Sequence, residues 1–149
     1  MVLTGNEIRR QIQKKQIQIM PFEDSNINPN SYDIHIGETI MYYQENVIID
    51  AKENAINNWI EQQIPKEGLI LQKEKFYFAY SKEIVGSSKY VPILHNKSGV
   101  ARKGMFMHIT GDLQQLNQNK HIMLQIFPFA NTIIFPNQQL AQVSFWKSF

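Results

Sequence analysis

The chain contains no cysteine and no long apolar run, and neither sign of charge dominates it. Without thiols there are no disulfides and no thiolate-held zinc, which excludes the zinc nucleobase deaminases. No stretch approaches the length of a membrane-spanning helix, and Thr4 with its polar followers stands where a secretory leader would place an apolar segment. A cytoplasmic address is expected. The net charge is only +2 and the basic residues form no block, so neither nucleic acid nor a membrane surface is an expected partner. His35, His95, His108 and His121 lie far apart and show no metal-ligand spacing; structural roles are the first expectation, with a pocket contact as the alternative for His108 and a phosphate contact for His95, and no metal or cofactor is expected.

What is present suits a single domain, residues 1–149, large enough to bury a sizeable core. Nine Phe, six Tyr and two Trp are dispersed among short runs rich in Ile and Val, the composition of strands packed about a core. The expected class is mainly β. Thr4-Gly5-Asn6-Glu7 reads as a capping box with Leu3 and Ile8 as its hydrophobic staple, opening a helix that should reach about Lys15. Gln16-Ile17-Gln18-Ile19 then alternates with the period of a half-buried strand.

Residues 21–29 read as a polar loop, and residues 31–37 as a strand ending in a turn at Gly37. Further strands are expected at residues 40–43, 47–49, 69–71, 76–80, 91–94, 105–109, 121–127, 132–135 and 140–146. Turn signals separate most of them at the spacing of sandwiches and barrels. Residues 51–63 read as a short helix, since Ala55, Ile56, Trp59 and Ile60 fall at helical spacing and Pro65 supplies a stop.

Three stretches carry a resemblance. They are Asn28-Pro29-Asn30-Ser31-Tyr32-Asp33-Ile34-His35-Ile36-Gly37, residues 96–105 (Asn-Lys-Ser-Gly-Val-Ala-Arg-Lys-Gly-Met), and residues 136–145, which end Ala141-Gln142-Val143-Ser144-Phe145. In this order they resemble the motifs of the dCTP deaminase and dUTPase superfamily, in its dCTP deaminase-like branch. The resemblance implies a distorted β-sandwich or jelly roll that assembles as a homotrimer, with nucleotide sites between subunits. It also implies a phosphate cradle in which Lys97 replaces a family arginine, Ser98 contacts phosphate and Arg102 is the second arginine. Physically, Lys97 and Arg102 supply positive charge, Ser98 a hydroxyl donor and Gly99 close backbone approach. The bland alternative is a solvated turn.

The departures from the family pattern matter as much. Gln125 stands where the deaminases place a glutamate general base, and Gln115 where the dUTPases place an aspartate that activates water. An amide orients water but accepts no proton at neutral pH, and losing a positioned base commonly costs about two to four decades in rate. Asp112 follows Gly111 and could take over by a slide of the hairpin, though a Gly-Asp turn explains it more simply. Family enzymes extend beyond the strand at residues 141–145 into an arm that closes over the nucleotide, whereas this chain stops at Phe149.

The expected ligand-binding set is therefore Lys97, Ser98, Gly99, Arg102, His108, Gln115 and Gln125, with no catalytic residue. Three functions are compatible with it. The first is an inactive nucleotide-binding trimer that sequesters a nucleotide or nucleotide-derived immune signal, in the host cytoplasm if the chain is phage-encoded. The second is a divergent, active dCTP deaminase or dUTPase. The third is a structural or protein-binding trimer, to which the aromatic end Phe145-Trp146-Lys147-Ser148-Phe149 is relevant.

Overall fold

The computed structural model describes residues 1–52, 58–107 and 111–148. Helix α1 spans Gly5–Gln13 and starts as its sequence directs: the Thr4 hydroxyl accepts the Glu7 amide at 3.3 Å. The Glu7 carboxylate does not close the reciprocal half of the box. It accepts from Gln11 Nε2 and from Arg10, at 3.3 Å, one turn further on. Leu3 and Ile8 are both buried, and α1 packs on β1 (Ile17–Met20).

The remaining strands are β2 (Tyr32–Tyr43), β3 (Trp59–Gln63), β4 (Leu69–Leu71), β5 (Tyr77–Ser87) and β6 (Tyr90–Asn96). After the short helix α2 (Ser98–Ala101) come β7 (Met105–Met107), β8 (Lys120–Pro128), β9 (Thr132–Ile134) and β10 (Gln139–Lys147). The main sheet runs β6-β10-β2-β5-β8-β7, with β1 added on β5 and β3 on β2, while β4 and β9 form a separate ribbon. Every pairing is antiparallel. The long strands β2 and β5 change partners along their length. The first half of β2 pairs with β10 and the second with β3 and β5, which curls the sheet nearly shut around one core.

Alternation sets the two faces. Ile122, Leu124 and Ile126 of β8 point inward with Ala79 of β5, Ile34, Ile36 and Ile40 of β2, and Phe145 of β10, all essentially without solvent exposure. Burying each such Ile or Leu contributes roughly 1.5–3 kcal/mol. His121, Met123, Gln125 and Phe127 occupy the opposite face of β8, and register places Phe78 beside Gln125 and Tyr80 beside Met123. That outer face carries more rings than a solvated face needs. Tyr43, Trp59 and Phe76 crowd around Phe78, and Phe106 and Phe127 both meet Phe129.

Two irregularities interrupt the ladders on either side of β5. Between Tyr80↔Met123 and Ile84↔His121, three residues of β5 oppose only Ile122 of β8. Between Ile40↔Ala79 and Ile36↔Ser81, Gly37, Glu38 and Thr39 of β2 oppose only Tyr80. These adjacent bulges bend both strands at one place.

Several sequence expectations need correction. Gly37 does not end a strand; β2 runs through it as a bulge, joining two expected strands into one. A Cβ on Gly37 would lie 3.0 Å from the Tyr80 carbonyl oxygen, so the glycine permits close backbone approach there. Trp59 and Ile60, read as helical, belong to β3, where pairing with Tyr43 and Tyr42 outweighs the local spacing. The remainder of that expected helix, residues 53–57, lies outside the described residues. Residues 47–49 form no strand. The second half of β5, residues 81–87, was hidden by its polar residues, which the interior accommodates with hydrogen bonds.

Candidate functional site

The expected site residues separate into two places within one chain. Gln115 and Gln125 line one cleft of about 490 Å³, together with Tyr80, Lys120, His121 and Met123. Gly111, Leu113 and Gln114 form one wall of it because their segment pairs back on β6: Leu94 donates its amide to the Asp112 carbonyl at 3.0 Å, and Gln114 to the Pro92 carbonyl at 2.9 Å. Gln118 Nε2 donates to Gln115 Oε1 at 2.5 Å, so that amide is oriented from within its own hairpin. No Asp or Glu is among the described residues that line the cleft. Asp112 does not line it either; its backbone holds the hairpin to β6.

Lys97, Ser98, Gly99 and Arg102 lie elsewhere, on α2 and its flanks, and none of them lines the cleft. The turn is held from its base: the Val100 and Ala101 amides donate to the Lys97 carbonyl at 2.9 Å, and Asn96 Nδ2 donates to the Met105 carbonyl at 3.0 Å. Val100 is buried beneath it, while Ser98, Gly99 and Arg102 are exposed. Nothing lies within 4 Å of a Cβ built on Gly99, so that position is open to a molecule arriving from outside. His108 lies outside the described residues.

Lys97 is not a freely presented cation. Its ammonium donates to Asp33 Oδ2 and, at 3.2 Å, to Gln139 Oε1. Asp33, nearly buried, also accepts from Asn28 Nδ2 at 2.8 Å, and Gln139 Nε2 donates to Asn26 Oδ1 at 2.9 Å. The first and third motifs therefore converge on the second. A lysine has three N–H donors, and two are committed inside the chain, which leaves Arg102 as the more available charge.

A second buried acid lies close by on the same strand system. Glu83, 2% exposed, accepts the His35 backbone amide at 3.0 Å and the His35 Nδ1–H at 2.5 Å. His95 Nε2 lies 2.7 Å from Ser144 Oγ, which also takes the Trp146 indole N–H at 2.8 Å. His35 and His95 thus have the structural roles expected of them. Phe145 of the aromatic end is fully buried and Trp146 half-exposed, while Phe149 lies outside the described residues. Tyr32, in the first motif, accepts the Glu23 amide at 2.9 Å, and burial pushes its phenol above the ordinary value.

His121 has a structural bond, as expected of it, and also lines the cleft. Its Nδ1 lies 2.8 Å from the Ser81 carbonyl oxygen, an acceptor only. Nδ1 therefore carries the proton, and Nε2 is left as the acceptor of the neutral ring. Sequence reasoning missed Tyr80, Lys120 and His121 because strand register and a bulge, not spacing, bring them to the amides. Among the described residues there is no cluster of three or more His, Asp or Glu able to hold a metal, and no helix is long and apolar enough to cross a membrane.

Comparison with known proteins places the whole arrangement. A family model described as dCTP deaminase-like matches residues 2–148. The chain is 35% identical over 143 residues to a dCTP deaminase, dUMP-forming, of Hathewaya histolytica, covering 96% of this chain and 81% of that one. It is 34% identical to the protein of the same description from Clostridium beijerinckii, over 96% and 80% of the two chains. Among solved structures, 2'-deoxycytidine 5'-triphosphate deaminase from Agrobacterium tumefaciens superposes with a TM-score of 0.75 at 16% identity, a likeness of fold. The match covers 99% of this chain but 48% of that longer one. A mainly β fold, three motifs drawn together around Lys97 and a match along nearly its whole length establish that this chain belongs to the dCTP deaminase-like family.

Proposed function

We propose that the chain is a nucleotide-binding member of its family that holds its ligand without converting it. The observation that carries this reading is the cleft itself: Gln115 and Gln125 face the same space, and no carboxylate is among the described residues lining it. Water in that cleft meets amides, which orient it without removing its proton. Binding survives such a replacement, because hydrogen bonds and charge are retained while stabilisation of the transition state is lost. A protein of this kind serves as a sink, sequestering a nucleotide or nucleotide-derived signal in the cytoplasm, that of the host if the chain is phage-encoded.

The division of the site into two places supports assembly as a homotrimer. The exposed turn carrying Ser98, Gly99 and Arg102 completes the amide cleft of a neighbouring copy, and Phe106 and Phe129, 45% and 55% exposed, supply apolar area for the contact. A solution mass three times that of one chain is the expected result of light scattering. The functional test is equilibrium binding of a panel of deoxynucleoside and nucleoside phosphates, followed by recovery of the ligand. Stoichiometric binding with unchanged ligand is expected; no binding by any member, or steady conversion, overturns the reading.

One observation favours an enzyme instead. His121 presents an acceptor nitrogen in the same cleft, with its tautomer set by Ser81, and relatives about one-third identical are named dCTP deaminases. On that reading His121 takes the proton that a glutamate would take. Release of ammonia from dCTP, lost in His121→Ala and in Arg102→Ala, would establish it.

A further inference from the structure

A second, larger cavity of about 740 Å³ borders the amide cleft, and the two share Tyr80, Lys120 and His121 as lining residues. The paired bulges build this second space. Gly37, Glu38 and Thr39 bow out of β2, and Ser81 and Lys82 out of β5, and all five line it.

The bulge on β5 is held by specific bonds. Ser81 Oγ accepts the Ile122 amide at 2.7 Å and donates to the Glu83 carbonyl at 2.6 Å, while the Ser81 carbonyl takes the His121 ring N–H. Alternation across the bulge turns Glu83 into the core, where His35 holds it, and leaves Lys82 at the cavity. Bulges fixed in this way re-aim side chains beside binding sites.

The charged groups among the lining residues are unequal in sign. Lys82 and Lys120 bring two cations against the single carboxylate of Glu38. Tyr80, 44% exposed on a strand otherwise largely buried, lines both spaces, and an aromatic ring is the kind of group on which a base stacks. Each cavity alone falls in the range of roughly 300–1,000 Å³ that takes one small ligand. The two spaces are neighbours, with the amides lining one, Lys82 the other, and Tyr80 and Lys120 both.

We infer that the ligand of this protein spans both cavities and is a dinucleotide: one nucleotide against Gln115 and Gln125, the connecting phosphate near Lys120, and the second nucleotide in the bulge cavity with Lys82. This inference rests on the nucleotide-binding reading and narrows its ligand class.

The test uses the four 5'-phosphorylated homodinucleotides pdApdA, pdCpdC, pdGpdG and pdTpdT against the corresponding mononucleotides, by calorimetry on the assembled protein. At least one dinucleotide should bind tenfold or more tightly than its mononucleotide. Lys82→Ala should remove about tenfold of that affinity and Lys82→Glu more, with mononucleotide binding changed less than about twofold. Melting curves of both variants verify that they fold. Mononucleotide binding with no gain for any dinucleotide, or a gain untouched by both Lys82 variants, overturns the inference alone. Failure of all eight probes to bind removes the nucleotide reading and this inference with it.

Discussion

Two parts of this molecule treat acidic groups in opposite ways. Around β2, Asp33 and Glu83 are drawn out of solvent and held, one by Lys97 and Asn28, the other by His35. In the cleft on the other side of β5, Gln115 and Gln125 line a space to which no carboxylate among the described residues contributes. These two buried carboxylates are clamps, each accepting from two named donors. The contrast teaches that an acid and an amide do different work in this chain: the two buried acids hold strands and the motif turn together, while the cleft is lined by amides.

Substitutions on the two sides should separate these roles. The largest effect is expected from Glu83→Ala, which strands His35 and its backbone amide; denaturant unfolding should show a loss of about 3–5 kcal/mol. Lys97→Ala leaves Asp33 nearly buried without its cation and should lower stability by about 1–3 kcal/mol in the same assay. Arg102→Ala is the matched control from the same turn. Its side chain is exposed, so stability should stay within about 0.5 kcal/mol while nucleotide affinity drops tenfold or more. Loss of binding in Lys97→Ala but not in Arg102→Ala would break the comparison, because the phosphate contact would then reside in the clamp.

Tyr32→Phe should cost about 1–3 kcal/mol by leaving the Glu23 amide unpaired. The smallest effect belongs to the exposed pair of Arg9 and Asp24. The hydrogen bond from Arg9, with its charge, holds the Asp24 carboxyl below the ordinary value. That stabilisation is complete above the unfolded value near pH 4 and fades as pH falls through the lower folded one. The melting temperatures of the native chain and Arg9→Ala should therefore differ slightly at pH 6 and converge at the acid end of a titration.

Most of the fold was legible wherever local pattern and tertiary context agree. Thr4 capped a helix, Ile17 and Ile19 alternated into β1, and the odd and even residues of β8 sorted to opposite faces. Legibility failed at Trp59 and Ile60, whose helical spacing yielded to strand partners, and at residues 81–87, where Ser81, Glu83 and Ser87 look unlike a core strand. Their burial depends on bonds to distant groups, the Ile122 amide, His35 and the Gln16 carbonyl, which no local window contains. The site was half legible. The motif residues were readable, but the pairing of Lys97 with Asp33 and the meeting of His121 with the two amides arise from register.

The bulge at Ser81 and Lys82 also governs how this chain tolerates change in length. Because strand facing has a period of two, removing a single residue there would exchange inside for outside along the rest of the strand, sending Lys82 inward and Glu83 toward water. Removing two would restore the facing and erase the cavity. Relatives with one residue fewer at this bend must have rebuilt the interior beside it, whereas those two shorter could keep that interior and lose only the space it frames.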